Sequence, residues 1–150
     1  MAVLRDRPYP CFNFLVDLGT GETEGPGAGF RECSPIVVEL GVTEYRNGNE
    51  KTNEVRKLTG LARVPDVTLR RGIIGSLDLW GWINQVRNGD QAALRTVSIT
   101  LMDEGHTTAV QAWRLLRARP VRHSSGPFDA QSCEVAIEEL TVAYERLELE

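Results

Sequence analysis

The sequence predicts a mainly β domain of the α+β kind with a single α-helix. Four segments alternate apolar and polar residues with the period of two that a half-buried strand requires. One stretch only, SLDLWGWINQVRN, combines helical spacing with both a start and a stop signal. Strand and helix patterns do not alternate along the chain, which excludes the parallel βαβ folds.

The first strand lies in CFNFLVDLG, where Phe12, Phe14, Val16 and Leu18 face one side and Asn13, Leu15 and Asp17 the other. TGETEGPGAG follows; glycine-rich, acidic and interrupted by Pro26, it predicts a mobile surface loop ending near Phe30. A second strand runs from Pro35 to Glu44 through Ile36, Val38, Leu40 and Val42. A third lies in ARVPDVTLRR, with Val67 and Leu69 opposite Asp66, Thr68 and Arg70. Between these two, residues 44–60 read as a long polar loop of mixed charge around the turn signal Asn47-Gly48. A loop of that length is uncommon in a compact domain unless it is functional or orders on a partner.

The helix starts from Ser76 as predicted N-cap with Asp78 at its positive end, and stops before Gly89. Leu79, Trp82, Ile83 and Val86 form its buried stripe, and Trp80 with Trp82 reads as an aromatic plug for the core. The fourth strand, from Arg95 to Asp103, carries Val97, Ile99 and Leu101 on one face, and DEGH supplies the turn after it. AVQAWRLLRAR has a helix-favouring composition, but its spacing fits a hairpin partner, and it reads as strand. EVAIEELTVAYERLELE fits a helical face through Ile137, Leu140, Tyr144 and Leu147 and a strand through Leu140, Val142 and Tyr144; its pattern leaves both open.

At 150 residues the chain fits one domain, residues 1–150, large enough for a core without metal or disulfide support. No apolar run approaches the roughly 20 residues of a membrane helix. MAVLRDRPYP has no apolar stretch behind its charges, so no secretory signal or membrane anchor is expected, and assembly is expected in the cytoplasm. Cys11, Cys33 and Cys133, odd in number and far apart, read as reduced, buried thiols. A net charge of -4 argues against a surface built for nucleic acid, so no sequence-specific nucleic-acid partner is expected. Basic Arg114, Arg117, Arg119 and Arg122 and an acidic C-terminal stretch suggest patches that could meet between copies.

Tests for chemistry fail one after another. RRGIIGS has neither the spacing nor the lysine of a phosphate loop, and Gly72 and Gly75 lack the third glycine and the βαβ context of a dinucleotide fingerprint. The Gly72–Ser76 turn therefore reads as a strand-to-helix joint, with a small nucleotide-binding or adaptor module as the alternative of another class. His106 and His123 have no partners at metal-ligand spacing, and no nucleophile elbow is present. The chain reads as non-enzymatic, with no catalytic residue, metal or cofactor.

Five segments together carry a resemblance: NFLVDLG, EYRNGNE, KLTGLARVPDVTLRRGIIGSLDLWGWI, VSITLMDEGHTTAVQAWRL and SGPFDAQSCEVAIEELTVAYERL. In this order they resemble the tail-tube (inner tube) proteins of contractile-tailed phages and contractile injection systems. The resemblance implies a small antiparallel β-sandwich or barrel flanked by one α-helix, with both ambiguous stretches as strands. It implies hexameric rings that stack into a hollow tube inside a sheath, begin on baseplate or tube-initiator proteins, and enclose a tape-measure protein, DNA or protein cargo. A specialised initiator or terminal subunit is the alternative within the family. Such a protein is a virion or injection-particle component, released by lysis. The resemblance assigns ring stacking to the polar loop: Glu44, Tyr45, Arg46, Asn47, Gly48, Asn49, Glu50, Lys51, Asn53, Glu54, Arg56 and Lys57, ordered only on the neighbouring ring. It gives Gly72, Gly75, Ser76, Trp80 and Trp82 an architectural role. Arg119 and Cys133 depart from the family's usual residues, and the long loop from Thr20 to Gly29 is expected to meet sheath or baseplate.

Overall fold

The computed structural model describes residues 2–150. Its strands are β1 (Phe14–Asp17), β2 (Glu32–Cys33), β3 (Glu39–Tyr45), β4 (Arg56–Arg63), β5 (Val67–Gly72), β6 (Arg95–Met102), β7 (Ala109–Ser125), β8 (Ile137–Ala143) and β9 (Arg146–Leu149), and the helix α1 spans Asp78–Arg87. Both ambiguous stretches are strands, as the resemblance implied.

Seven strands form one antiparallel sheet in the order β1-β6-β7-β8-β5-β2, with β9 added beside β7. The sheet folds over because β7 serves both layers. Its first half pairs with β6 and β9, and its last seven residues, from Arg119, pair with β8. The bend between the halves coincides with Arg117 at φ 53 and with a register shift between Pro120 and Arg122. β1 and β2, at the two ends of the sheet, are not paired with each other, so the barrel stays open. A groove of about 390 Å³ marks this seam, with Phe14, Ile36, Ile99, Leu101 and Trp113 among its lining residues.

The core follows from the alternation read in the sequence. Val67 and Leu69 of β5, Val97 and Ile99 of β6, Leu140 and Val142 of β8, and Tyr144 just beyond β8 are all buried. Helix α1 closes the core with Leu79 and Trp82, while Ile83 and Val86 are half-buried. Trp82 keeps its one donor satisfied by giving a 3.0 Å hydrogen bond to the Ala93 carbonyl, so burying the indole leaves no polar group unpaired. Gly75 sits at φ 82, a conformation that a side chain resists, and turns the chain from β5 towards α1.

The sequence reading needs several corrections. Trp80 is not core: it is 42% exposed, edge-on to His123 and beneath the Arg87 guanidinium. Leu77, not Ser76, is the N-cap; the Ser76 hydroxyl lies one residue early and donates to Asp78 Oδ1 at 2.8 Å. The Thr20–Gly29 stretch is held in place: Asp17 Oδ1 accepts from the Gly19 and Gly21 amides, and the Gly27 carbonyl accepts from buried Arg71. Part of the Arg-rich and Glu-rich patches pairs within the chain, through Arg114–Glu150 and through Arg117 and Arg119 on Glu145, while Arg122 and Glu134 form no ion pair among the described residues. Such exposed pairs contribute little stability.

Cys11 and Cys133 are exposed and only Cys33 is partly buried, so the expectation of three buried thiols fails as well. Burial, assisted by the Glu32 carboxylate, pushes the Cys33 thiol up to about 11. We expect a maleimide at neutral pH to label two thiols of the native protein quickly and the third only after denaturation; mass spectrometry of the labelled peptides reads this directly.

The Tyr144 hydroxyl is buried without a hydrogen-bond partner among the described residues. Burial pushes its pKa up, with smaller contributions from Asp66 and Cys33. Tyr144→Phe removes that unpaired group and keeps the ring, and should stabilise the fold by about 1 kcal/mol. Urea denaturation of both proteins measures the difference; a loss of stability would contradict it.

Candidate assembly interface

β3 and β4 form a hairpin that pairs with no strand of the main sheet. All fifteen of its strand residues are exposed. The register sets Leu40 opposite Ala62 and Val42 opposite Thr59 on one face, and Thr43 opposite Leu58 and Tyr45 opposite Arg56 on the other. Each face therefore carries apolar side chains into solvent. Between Leu40 and Val42 the register shifts, so that Gly60 and Leu61 together oppose Gly41. Leu61, at this bulge, is 80% exposed, the most of any large apolar residue in the hairpin.

Isolated two-stranded hairpins are marginal in water. This one is braced at its tip by its own polar residues. Arg46 donates to the Glu50 carbonyl at 2.9 Å and to the Thr52 carbonyl at 2.8 Å, Tyr45 donates to Asn47 Oδ1 at 2.6 Å, and Arg56 pairs with Glu50 at 2.7 Å. The loop read over residues 44–60 is thus shorter than expected. Glu44 and Tyr45 end β3, Arg56 and Lys57 begin β4, and Arg46, Asn47, Gly48, Asn49, Glu50, Lys51, Asn53 and Glu54 make the turn between them. The reason is cross-strand pairing: Glu44 with Lys57 and Tyr45 with Arg56 extend the ladder outward from the apolar rows. The tip thus carries bracing contacts of its own within a single chain.

A second polar construction escaped the sequence reading. Arg71 is 1% exposed and sits opposite Glu138 across β5 and β8. Its guanidinium reaches Glu138 Oε1 at 2.6 Å, Asp78 Oδ1 at 2.5 Å and the Gly27 carbonyl at 2.8 Å. Three elements meet on one cation: sheet, helix start and Thr20–Gly29 loop. Burial alone would raise the Asp78 pKa, but donors from Arg71, Ser76 and the Leu79 amide hold it below the usual carboxylate range. The signal for this cluster was in the pattern, since Arg71 continues the inward row of Val67 and Leu69, and Glu138 that of Leu140 and Val142.

Two amides at and beside the turn from Gly72 to Ser76 are already bonded within the chain. Gly72 belongs to β5, the Ile73 amide donates to the Ala136 carbonyl, and the Leu79 amide already takes Asp78 Oδ1. Among the described residues no group of three or more His, Cys, Asp or Glu side chains could hold a metal, and no helix is long and apolar enough to cross a membrane.

The profile of the T4-like virus tail tube protein gp19 family matches residues 10–148. The chain belongs to this tail tube family. It is a structural tube subunit of the contractile kind, and the five sequence segments identified above lie within the matched region. No curated protein sequence matches the chain. Among solved structures, this tail tube protein is similar to a chain of the extracellular contractile injection system PVC sheath–tube complex in its extended state. That match has 27% identity and a TM-score of 0.83 over 95% of this chain and 91% of the other. A chain of the anti-feeding prophage tube-terminating cap matches at 26% identity and a TM-score of 0.84, covering 100% of this chain and 95% of that one. A chain of the six-fold symmetrised anti-feeding prophage baseplate matches at 25% identity and a TM-score of 0.84, covering 97% of each.

Proposed function

We propose that this tail tube protein forms hexameric rings that stack into a hollow, rigid tube inside a contractile sheath, and that its hairpin is the element through which copies join. The observation that carries this reading is the hairpin itself: two strands with free outer edges and apolar side chains on both faces, resting on nothing in their own chain. Exposed edges of this kind are an aggregation hazard in a monomer. In a closed ring each edge is covered by a neighbour, and the hazard becomes the bonding surface. The hexamer draws support from the likeness to the six-fold baseplate, and sheath and baseplate partners from the assemblies in which the similar chains reside.

The lumen carries a tape-measure protein, DNA or protein cargo, and the subunit contributes shape and not chemistry. A specialised initiator or terminal ring is the alternative, resting on the equally good match to the cap and baseplate chains. Negative-stain microscopy of the purified protein separates the readings. Tubes of stacked six-fold rings are expected; single rings that never lengthen favour the terminal role, and a monomer at every salt and protein concentration overturns both.

A further inference from the structure

The hairpin needs a receiving surface, and we propose that it is the groove beneath the loop between β7 and β8 on a second copy. This rests on the reading of the hairpin as the joining element and names its docking partner. The loop and the start of β8, from Gly126 to Ile137, surround a groove of about 690 Å³. Phe128 and Val135, 73% and 70% exposed, stand over it with nothing to cover them. From Gly126 to Tyr144 the chain contains acidic residues, Asp129 and Glu134 exposed among them, and no basic one.

The hairpin offers the complement. From Val55 to Arg63 it contains Arg56, Lys57 and Arg63 and no acidic residue. Arg56 is engaged by Glu50, whereas Lys57 and Arg63 form no ion pair among the described residues, although Glu44 and Glu39 lie opposite them in the ladder. Leu61 stands at the bulge, on the same strand as both cations. An exposed leucine on a strand that carries unpaired cations fits an apolar groove rimmed by carboxylates, and burial would strengthen the Coulomb attraction that is weak in open water. The two surfaces are different patches of one molecule, so the contact is head to tail and propagates from copy to copy instead of stopping at a dimer.

Cys133 lies on the receiving loop and is exposed, which supplies the test. In a Cys11→Ser, Cys33→Ser background that retains Cys133, Leu61→Cys is introduced and assembled particles are oxidised with copper phenanthroline. Non-reducing electrophoresis should show a ladder of covalent dimers, trimers and longer species, while the same background with Thr20→Cys stays monomeric. Assembled particles that yield only monomer overturn the proposal. Where Leu61→Cys itself prevents assembly, a charge exchange decides. Lys57→Glu and Glu134→Lys should each lower the assembled fraction at least tenfold, and the pair together should restore it; no restoration in a pair that melts like the parent overturns the contact. Excising the hairpin tests the underlying reading separately. Tubes that survive excision refute the hairpin's role, whereas lost tubes without cross-linking refute only this partner surface.

Discussion

Excision of the hairpin leaves a folded protein that no longer builds tubes. Glu39 and Arg63 are cross-strand partners, so their backbones are close enough for an Asn-Gly turn to replace residues 40–62. No residue of the buried core lies in the excised segment. The melting temperature should therefore move only as far as surface changes move it, within about 0.5 kcal/mol of the parent's stability. Assembly should be lost altogether, as read by sedimentation and by the absence of tubes on the grid. Tubes of normal diameter from the excised protein would remove the hairpin from the assembly. A protein that unfolds would show instead that the hairpin supports its own domain, contrary to its exposure on both faces.

Arg71 is where a single substitution should do the most damage to the fold. Arg71→Met keeps much of the side-chain volume but leaves Glu138, 6% exposed, without its cation. Breaking a buried pair from one side typically costs about 3–5 kcal/mol, which a domain of ordinary stability barely survives. The Glu138 charge is the reason, so the double variant Arg71→Met, Glu138→Leu should recover most of the loss, since neither partner is then stranded. Equal instability of single and double variants would assign the damage to lost packing or to release of Asp78 and the Gly27 carbonyl. The cluster also gives a pH signature. Because the Asp78 pKa is lower folded than unfolded, its contribution is complete above the unfolded value of roughly 4 and is lost as pH falls through the folded value. Melting temperature should fall in that acid window, and the fall attributable to Asp78 should be absent in Asp78→Asn.

The strands that make the core were legible residue by residue. Val67 and Leu69, or Val97 and Ile99, alternate with polar neighbours because one face of the sheet is buried and the other is wet. The same rule misled at the hairpin. Leu40 and Val42 carry the apolar alternation of a core strand, yet they are 62% and 56% exposed, because the pattern records that a face will be covered and not by which chain. Trp80 misled similarly, since an indole suits a core and an exposed shelf alike. Arg71 escaped notice because a charged residue reads as outward until an opposite charge is known to sit across the ladder.

By itself, the sequence determined the β architecture, the single helix, the glycine joint between β5 and α1 and the family, all of which follow from local periodicity, turn chemistry and motifs in order. Only the tertiary structure decided that the barrel stays open between β1 and β2, that Arg71 unites three elements, and that residues 39–63 stand apart as a ribbon. Those features depend on which distant residues meet, and pairing such as Phe14 with Leu101 or Val67 with Val142 is a property of the folded chain that no short window of sequence contains.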